Sequence, residues 1–407
     1  MLQEFLHNFL HNLFKPLLLF FYFGFLIRML KVDFEFPYVI YQGLTLYLLV
    51  AIGWHGGEEL AEIKASSIAD IVGFMITGFV LNFVIGLIAY WLLSRLTSLR
   101  RVDKATVAGY YGSDSAGTFA TCVAVLAGVG LAFDAYMPVM LAVMEIPGCL
   151  VALYLVARLR HRGMDPEGNM RDEPGYIAPP MPARVGPGAA AQPAPGQELD
   201  IEQDTEERVQ FALMKRNRRG GVTGTMPKEG ILSRKLLREV FLNPGLCLLF
   251  GGIVIGCISG LQGHKVTHDT DSLFITAFQG ALCLFLLEMG MTAASKLRDL
   301  KSAGRGFILF GLLAPNLFAP LGIIIAHAYA FLTGTDFKPG TYVLFAILCG
   351  AASYIAVPAV QRLAIPEASP TLPLAASLGL TFSYNVTIGI PLYIEYARIV
   401  GHWFPGT

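Results

Sequence analysis

The chain has 407 residues, of which 54% are hydrophobic and only 15% are charged. Soluble proteins usually carry about 25% charged residues, so this composition excludes an ordinary soluble enzyme. The formal net charge is zero, which provides no general attraction to nucleic acid. All six cysteines lie in apolar stretches without the spacing of metal ligands, and we interpret them as small packing residues.

Apolar segments of about 20 residues, the length that crosses a bilayer as a helix, recur along the chain. The first ends at Arg28 without a small-residue cleavage site, so we interpret it as a retained membrane helix and not as a signal peptide. The predicted spans are 16–31, 37–56, 67–94, 104–129, 134–159, 243–262, 273–295, 304–333, 340–363 and 371–399. The sequence therefore predicts an all-α membrane protein with ten transmembrane helices.

A polar insert at about 161–232 divides these spans into two groups of five. The predicted domains are a first transmembrane repeat (1–160), the cytoplasmic insert, and a second, inverted transmembrane repeat (233–407). The insert has a proline-rich stretch, an acidic run and a basic cluster. Such a composition cannot bury a core, so most of the insert is predicted to be disordered. Two interpretations stay open: a solvated linker, or a docking site for a regulator or anionic lipid.

The charges of the loops predict the orientation. Basic residues gather in alternate loops: Arg28 and Lys31; Arg95, Arg100, Arg101 and Lys104; Arg158, Arg160 and Arg162; Lys296, Arg298, Lys301 and Arg305; and Arg362. The positive-inside rule assigns these loops to the cytoplasm. We therefore expect an inner-membrane protein with both termini in the periplasm and the insert in the cytoplasm.

The two halves resemble each other in sequence. The matched positions in spans two and seven are Gly43 with Gly280, Gly53 with Gly290, and Leu60 with Leu297. Asn82 of span three matches Asn316 of span eight, and GSDS from Gly112 matches GAAS from Gly350. Ordered matches through four spans predict a repeat, and five spans per half turn the second repeat upside down. Inverted repeats are typical of alternating-access transporters.

Polar, glycine-bearing stretches interrupt spans four and nine. Span four contains YGSDSAGT from Tyr111, and span nine contains GAASYIAVP from Gly350. Glycine and proline at matching places predict helices that break near the midplane, where irregular backbone survives only beside a cavity or a site. Half-helix N-termini bind anions, and oxygen atoms suit a hard cation such as sodium. The alternative, a packing face of small residues, leaves Asp114 unexplained.

Four ionisable or amide side chains lie deep in predicted spans: Asp114, Glu145, Glu288 and Asn385. Because a charge in a membrane helix is costly, such residues usually have a function. Glu145 precedes Pro147, whose missing N–H leaves a carbonyl free, and we interpret it as functional. For Glu288, near the basic end of its helix, a function and a structural ion pair with a neighbour stay open.

At these residues the sequence resembles the sodium-dependent bicarbonate permease family (SbtA type) over essentially the whole chain outside the insert. The likeness is carried by GSDSAGTFA, MEIPGCLVAL, LLEMGMTAA, SYIAVPAVQRLAIPEASP and GIPLY. It implies ten helices in two inverted repeats, core and gate domains that work as an elevator, a homotrimer and, in some members, a cytoplasmic PII-like regulatory protein. In the family pattern the acidic residue stands in the second broken helix, where this chain has Tyr354, whereas here the acid is Asp114.

With this resemblance, the leading hypothesis is a secondary transporter, not an enzyme, that imports bicarbonate with sodium. The predicted anion-binding residues are Ser113, Ser115, Ala116, Gly117, Thr118, Ala352, Ser353, Tyr354 and Ile355. The predicted sodium-binding residues are Asp114, Ser115, Glu145 and Asn385. Symport of another small carboxylate, a cation–proton antiporter that uses Asp114 and Glu145, and a membrane enzyme or channel remain as alternatives.

Overall fold

The structure is a computed structural model of the chain, and it describes residues 14–61, 63, 68–178, 244–300 and 304–403. Most of the predicted insert, residues 179–232, lies outside the described residues. In the described part the chain forms helices joined by turns, with no β-strand. The helices are α1 (Pro16–Met29), α2 (Tyr38–Leu60), α3 (Ile68–Leu96), α4 (Arg101–Tyr111), α5 (Ala116–Val129), α6 (Met137–His161), α7 (Pro244–Gln262), α8 (His264–Asp271), α9 (Phe278–Asp299), α10 (Arg305–Thr333), α11 (Pro339–Gly350), α12 (Ala356–Ala364), α13 (Thr371–Leu374) and α14 (Ile390–Trp403).

Six of the described helical stretches are long and apolar enough to cross a membrane. They are Tyr38–Leu60, Ile68–Leu96, Met137–His161, Pro244–Gln262, Ser272–Leu297 and Arg305–Thr333. Helices α1 and α11 are apolar but shorter. The fold is therefore that of an all-helical, multi-pass membrane protein, as the composition predicts.

Four predicted spans are not continuous α-helices, and one of them, at 273–295, begins as a π-helix at Ser272–Thr276 before α9. The segment predicted at 104–129 forms α4 and α5, and the segment predicted at 340–363 forms α11 and α12. Between α13 and α14 the backbone is π-helical at Ala375–Phe382 and at Asn385–Gly389. π-Helical turns inside α-helices are frequent at functional sites, and here they lie beside the breaks.

Proline and glycine define several helix ends. Proline occupies the first turn of α1, α6 and α11, where its missing N–H would have no helical partner. Helices α5 and α10 end at Gly130 and Gly334, both in the left-handed conformation with φ of 71° and 69°. Glycine adopts this conformation without a steric penalty.

Two helix pairs pack with their backbones in direct contact. Helix α2 runs along α7, and α1 runs along α9. A methyl group at Gly53 of α2 would collide with the Leu249 carbonyl of α7, and one at Gly290 of α9 would collide with the Phe21 carbonyl of α1. Small residues permit this close approach between membrane helices.

The remaining long helices form two similar groups. Helices α3, α4 and α6 pack against one another, and so do α10, α11 and α14. Helices α3 and α10 join the groups, and α12 packs on α6. Each helix contact within the first group thus has a counterpart within the second.

Basic side chains gather at one end of the bundle. Arg28 of α1 donates a 2.8 Å hydrogen bond to Ser295 of α9. Arg100 pairs with Asp103 at 2.8 Å, and Arg160 of α6 binds both carboxylate oxygens of Glu367, after α12. The loops that carry the basic residues therefore meet on one side.

The start of the predicted insert packs against this same end. The Glu173 carboxylate accepts hydrogen bonds from the backbone N–H groups of Arg101 and Met170. The Asp165 carboxylate accepts the backbone N–H groups of Asn169 and Ile177. Burial acts to raise the pKa of Asp165, but these hydrogen bonds outweigh it and hold the pKa below its usual value. Residues 163–178 are thus a folded loop, which the polar composition did not predict.

Candidate functional site

The two helix breaks meet in the interior of the bundle. The backbone N–H of Ser353, in the second break, donates a 2.9 Å hydrogen bond to the carbonyl of Tyr110, near the end of α4. A methyl group at Gly117, in the first turn of α5, would collide with the hydroxyl of Tyr354. The sequence assigned both breaks to one site, and the structure brings them into contact.

Ser115 begins α5 and leaves part of its first turn unbonded. Its backbone is extended, and its hydroxyl oxygen accepts from the backbone N–H of Thr118 at 3.3 Å and from the Thr118 hydroxyl at 2.9 Å. The N–H groups of Ala116 and Gly117 have no preceding helical carbonyl to bind. They face outward at the positive end of the helix dipole.

A narrow crevice lies at this N-terminus. It is lined by Thr45, Leu48, Leu49, Ile52, Ala116, Gly117, Ala120, Phe285 and Ile355. Its walls come from α2 and α9 on one side and from the two breaks on the other. Thr45 is the polar side chain that α2 contributes, and its hydroxyl donates to the Tyr41 carbonyl at 2.9 Å. The oxygen of Thr45 is therefore left as an acceptor.

A larger, mainly apolar pocket continues from the crevice toward the end of α2. The two share Ile52, and the larger pocket follows α5 as far as Ala127 and includes His55 and Gln279. This end of α2 is opposite to Arg28 and the other basic loops, because α1 ends where α2 begins. The pocket therefore lies on the side of the crevice that is farther from the basic loops.

Asp114 is the most unusual side chain of the site. It is completely buried, and neither carboxylate oxygen has a hydrogen-bond partner among the described residues. Glu145 of α6, also buried, lies close enough for the two carboxyl groups to interact electrostatically. A buried, ionised carboxylate without a partner costs several kcal/mol. The arrangement is therefore stable only if a cation or a proton reaches these oxygen atoms.

Ser113 and Asn82 each bind a backbone carbonyl of α6. The Ser113 hydroxyl donates to the carbonyl of Glu145 at 2.9 Å. The Asn82 amide donates to the carbonyl of Met144, also at 2.9 Å, while its own oxygen, Oδ1, has no partner in the described part of the chain. The sequence singled out Asn82 only as a repeat match. Its position beside the first break is decided by the packing of α3 on α4 and α6.

Asn385 lies at the second break. Its amide donates to the carbonyl of Gly350, the last residue of α11, at 2.9 Å. Its oxygen accepts from the Tyr393 hydroxyl at 2.9 Å. The amide N–H of Asn385 thus binds the end of α11, and its oxygen binds α14. The prediction that Asn385 binds sodium stays a prediction.

The other predicted residues of the second break are buried with it. Ala352, Ser353 and Tyr354 are at most 6% exposed, and Ile355 lines the crevice. The Ser353 hydroxyl accepts from the backbone N–H of Val357 at 3.4 Å. The second break therefore supplies one apolar wall and one hydroxyl without a partner among the described residues, that of Tyr354.

A hydrogen-bonded pair near the breaks was missed by the sequence reasoning. The hydroxyls of Tyr111 and Thr381 lie 2.6 Å apart, and Thr381 also contacts the Gly311 carbonyl at 3.1 Å. Thr381 belongs to a π-helical segment, and no pattern in the sequence marks it. The only available signal was a hydroxyl residue in an apolar span.

The contacts of Glu288 are with Thr292 and Arg28. The hydroxyl of Thr292, one turn later on α9, donates to its carboxylate at 2.9 Å, and Arg28 is an electrostatic neighbour. Of the two interpretations left open for Glu288, the contacts agree with a structural role at the basic end of α9.

Comparison with known protein families decides the class of the protein. A family model described as the Na+-dependent bicarbonate transporter superfamily matches residues 16–398. The chain belongs to this superfamily. The Na+-dependent bicarbonate transporter is thus a multi-pass membrane protein with sodium as a coupled ion, and it is not an enzyme. The resemblance found in the sequence motifs is confirmed, and the alternative functions are not favoured. A comparison with curated proteins finds none that matches the chain.

Proposed function

We propose that this bicarbonate transporter is an importer in which sodium and the anion bind side by side at the first helix break. The observation that carries the proposal is Asp114, a buried carboxylate without a partner among the described residues, two residues before a helix whose free N–H groups face a crevice. The carboxylate suits a cation, and the helix N-terminus suits an anion. The two ions neutralise each other during the crossing.

The anion is held by the N–H groups of Ala116 and Gly117, with Ser115 and Thr118 beside them. The second break, Ala352–Ile355, closes the site from the opposite side. The crevice that Ala116, Gly117 and Ile355 line supports this assignment. The Ser113 hydroxyl donates its hydrogen bond to the backbone of α6. Ser113 therefore binds the anion through its backbone N–H.

Sodium is held by the carboxylates of Asp114 and Glu145. Ser115 joins them only when its hydroxyl oxygen gives up a hydrogen bond from Thr118. Without a cation, a carboxylate this close to a bound anion repels it, because charges interact strongly at low dielectric. Sodium between them turns repulsion into attraction, so that each ion raises the affinity for the other. This reciprocal coupling is what lets a sodium gradient drive anion uptake.

The architecture we propose is two inverted repeats of five spans. The helix contacts support it: the α2–α7 pair corresponds to the α9–α1 pair, and the α3–α4–α6 group corresponds to the α10–α11–α14 group. The matched glycines Gly53 and Gly290 make equivalent contacts with a neighbouring backbone carbonyl. Helices α1, α2, α7 and α9 then form the gate, and the broken helices belong to the core that moves as an elevator.

In the proposed orientation the basic end, including the loop 163–178, faces the cytoplasm of a cell with this protein in its inner membrane. Both termini are then periplasmic. A homotrimer and a cytoplasmic PII-like regulator follow from the family resemblance and are proposed on that ground. A regulator that bound the folded loop at 163–178 would contact a segment that is hydrogen-bonded to the start of α4.

Uptake of labelled bicarbonate into proteoliposomes tests the proposal. An inward sodium gradient should drive accumulation, a potassium gradient should not, and collapsing the sodium gradient should stop it. Accumulation without a sodium gradient would contradict the coupling. Uptake of formate or acetate in preference to bicarbonate would instead assign the site to another small carboxylate.

A further inference from the structure

The hydroxyl of Tyr354 is a buried donor without an acceptor among the described residues. The side chain is 6% exposed, and its hydroxyl donates no hydrogen bond within that part of the chain. The ring packs edge-on against Phe382, with centroids 5.4 Å apart, which fixes its direction. Buried tyrosine hydroxyls usually find a partner, so an unpartnered one at a binding site points to a ligand.

The hydroxyl is aimed at the N-terminus of α5. A methyl group added to Gly117 would occupy the place of the Tyr354 oxygen, so this oxygen lies directly against the first turn of the helix. The Ser115 hydroxyl faces the Tyr354 oxygen as well. Because Thr118 uses both acceptor positions of Ser115, Ser115 can act toward Tyr354 only as a donor. The phenol hydrogen is therefore left for a group bound at the N-terminus of α5, beside the crevice that Gly117 and Ile355 line.

Three donors thus lie at the N-terminus of α5: the N–H groups of Ala116 and Gly117 and the O–H of Tyr354. Bicarbonate has two oxygen atoms that share the negative charge and accept hydrogen bonds. Hydrogen bonds to a charged acceptor are shorter and stronger than those between neutral groups. A phenol also adds no charge of its own, so it does not compete with Asp114 for sodium.

We infer that the hydroxyl of Tyr354 donates a hydrogen bond to the bound anion and makes this residue a determinant of anion affinity. The inference rests on the proposed function, because it takes the N-terminus of α5 as the anion site. It assigns the second break a direct role through a side chain, in addition to its backbone. It also separates the two ions: Tyr354 acts on the anion, and Asp114 acts on sodium.

Tyr354→Phe tests this inference, since it removes only the hydroxyl and keeps the ring that packs on Phe382. Tyr136→Phe is the matched control. Tyr136 is also buried, at 5% exposure, and its hydroxyl also has no partner in the described part. It packs on Phe74 and Phe337 and, unlike Tyr354, is not among the closest neighbours of Gly117. Both variants are reconstituted, and labelled bicarbonate uptake is measured against bicarbonate and against sodium.

We expect Tyr354→Phe to raise the KM for bicarbonate at least tenfold, about 1.4 kcal/mol, with the half-saturating sodium concentration at saturating bicarbonate unchanged. Tyr136→Phe should leave both values as in the wild type. A normal KM in Tyr354→Phe, or an equal change in both variants, would overturn the inference while sodium-coupled uptake by the wild type still supported the proposed function. Bicarbonate uptake by the wild type that does not depend on a sodium gradient would instead contradict the proposed function.

A second measurement covers a variant that inserts poorly. Bicarbonate should raise the unfolding temperature of the purified wild-type protein in sodium, because a ligand that binds the folded state stabilises it. The same rise in Tyr354→Phe would contradict the inference. A rise that requires at least tenfold more bicarbonate would support it.

Discussion

The backbone N–H of Ser353 donates a 2.9 Å hydrogen bond to the carbonyl of Tyr110. These residues are far apart in the sequence and belong to different halves of the chain. The bond links the second helix break to the end of α4. The carbonyl of Tyr110 is one of those that a helix end leaves without a helical partner. The two breaks therefore form one structural unit, so that a change at either one should affect the ions bound at both.

Replacing the buried carboxylate tests the sodium site. Asp114→Asn keeps the shape of the side chain and removes its charge. We expect the half-saturating sodium concentration for bicarbonate uptake to rise at least about tenfold, roughly 1.4 kcal/mol, in reconstituted protein. Asp134→Asn is the control. Asp134 lies in the loop before α6, where it accepts hydrogen bonds from Thr341 and from the backbone N–H of Lys338, and it is not one of the proposed site residues.

Normal sodium dependence in Asp114→Asn would show that the carboxylate is structural, and Glu145 would become the next candidate. Loss of a pH dependence with sodium dependence intact would favour proton exchange at Asp114.

Asn385 provides a test between sodium binding and support of the backbone. Asn385→Ala leaves the carbonyl of Gly350 and the hydroxyl of Tyr393 without their partner. Because unsatisfied buried groups cost about 1–3 kcal/mol each, we expect a lower unfolding temperature and slower transport with a near-normal half-saturating sodium concentration. Tyr393→Phe, which removes one of the two bonds, should show a smaller thermal shift. A large sodium shift without a thermal shift would make Asn385 a sodium ligand.

The contact between α1 and α9 depends on a glycine. Gly290→Ala places a methyl group against the Phe21 carbonyl, and overpacking of this kind typically costs about 1–3 kcal/mol. Gly280→Ala, on the same helix, meets nothing within 4 Å and should be neutral or slightly stabilising, since alanine favours helix. Thermal unfolding of the two variants in detergent measures the difference. Equal stabilities would contradict the close packing of this pair.

The insert is expected to divide into a required and a dispensable part. Removal of residues 164–177 deletes the acceptor for the backbone N–H of Arg101, where α4 begins, and should impair transport. Removal of residues 180–195 spares this bond and should leave uptake near the wild-type rate. Uptake by both deletion variants is compared after their surface expression has been matched. Loss of transport in the second deletion would show that the proline-rich stretch has a structural role.

The proposed orientation is tested by cysteine labelling. Single cysteines at Ser98 and at Asp336, both exposed, replace the native residues in a background without the six natural cysteines. A membrane-impermeant reagent added to intact cells should label position 336 and not position 98, because position 98 lies among the basic loops. The reverse pattern would invert the topology and make the insert periplasmic.

The sequence predicted the membrane class and the places of the helix breaks because both depend on local properties. Apolar length and the paired GSDS and GAAS motifs are visible in one dimension. A functional role for Asp114 was predicted as well, since a carboxylate in an apolar span is too costly to be retained without a use. The folded loop at 163–178 was not predicted, because its order depends on contacts with Arg101 and not on its own composition.

The sequence by itself determined the all-helical membrane fold, the family and the set of polar residues from which a site is built. Only the tertiary structure decided how that set divides: Asp114 has no partner among the described residues beside the first turn of α5, while Asn385 is engaged at the end of α11. It also decided that the hydroxyl of Tyr354 lies over Gly117. The physical reason is that hydrogen-bond satisfaction is a property of neighbours brought together by packing, and these neighbours lie far apart along the chain.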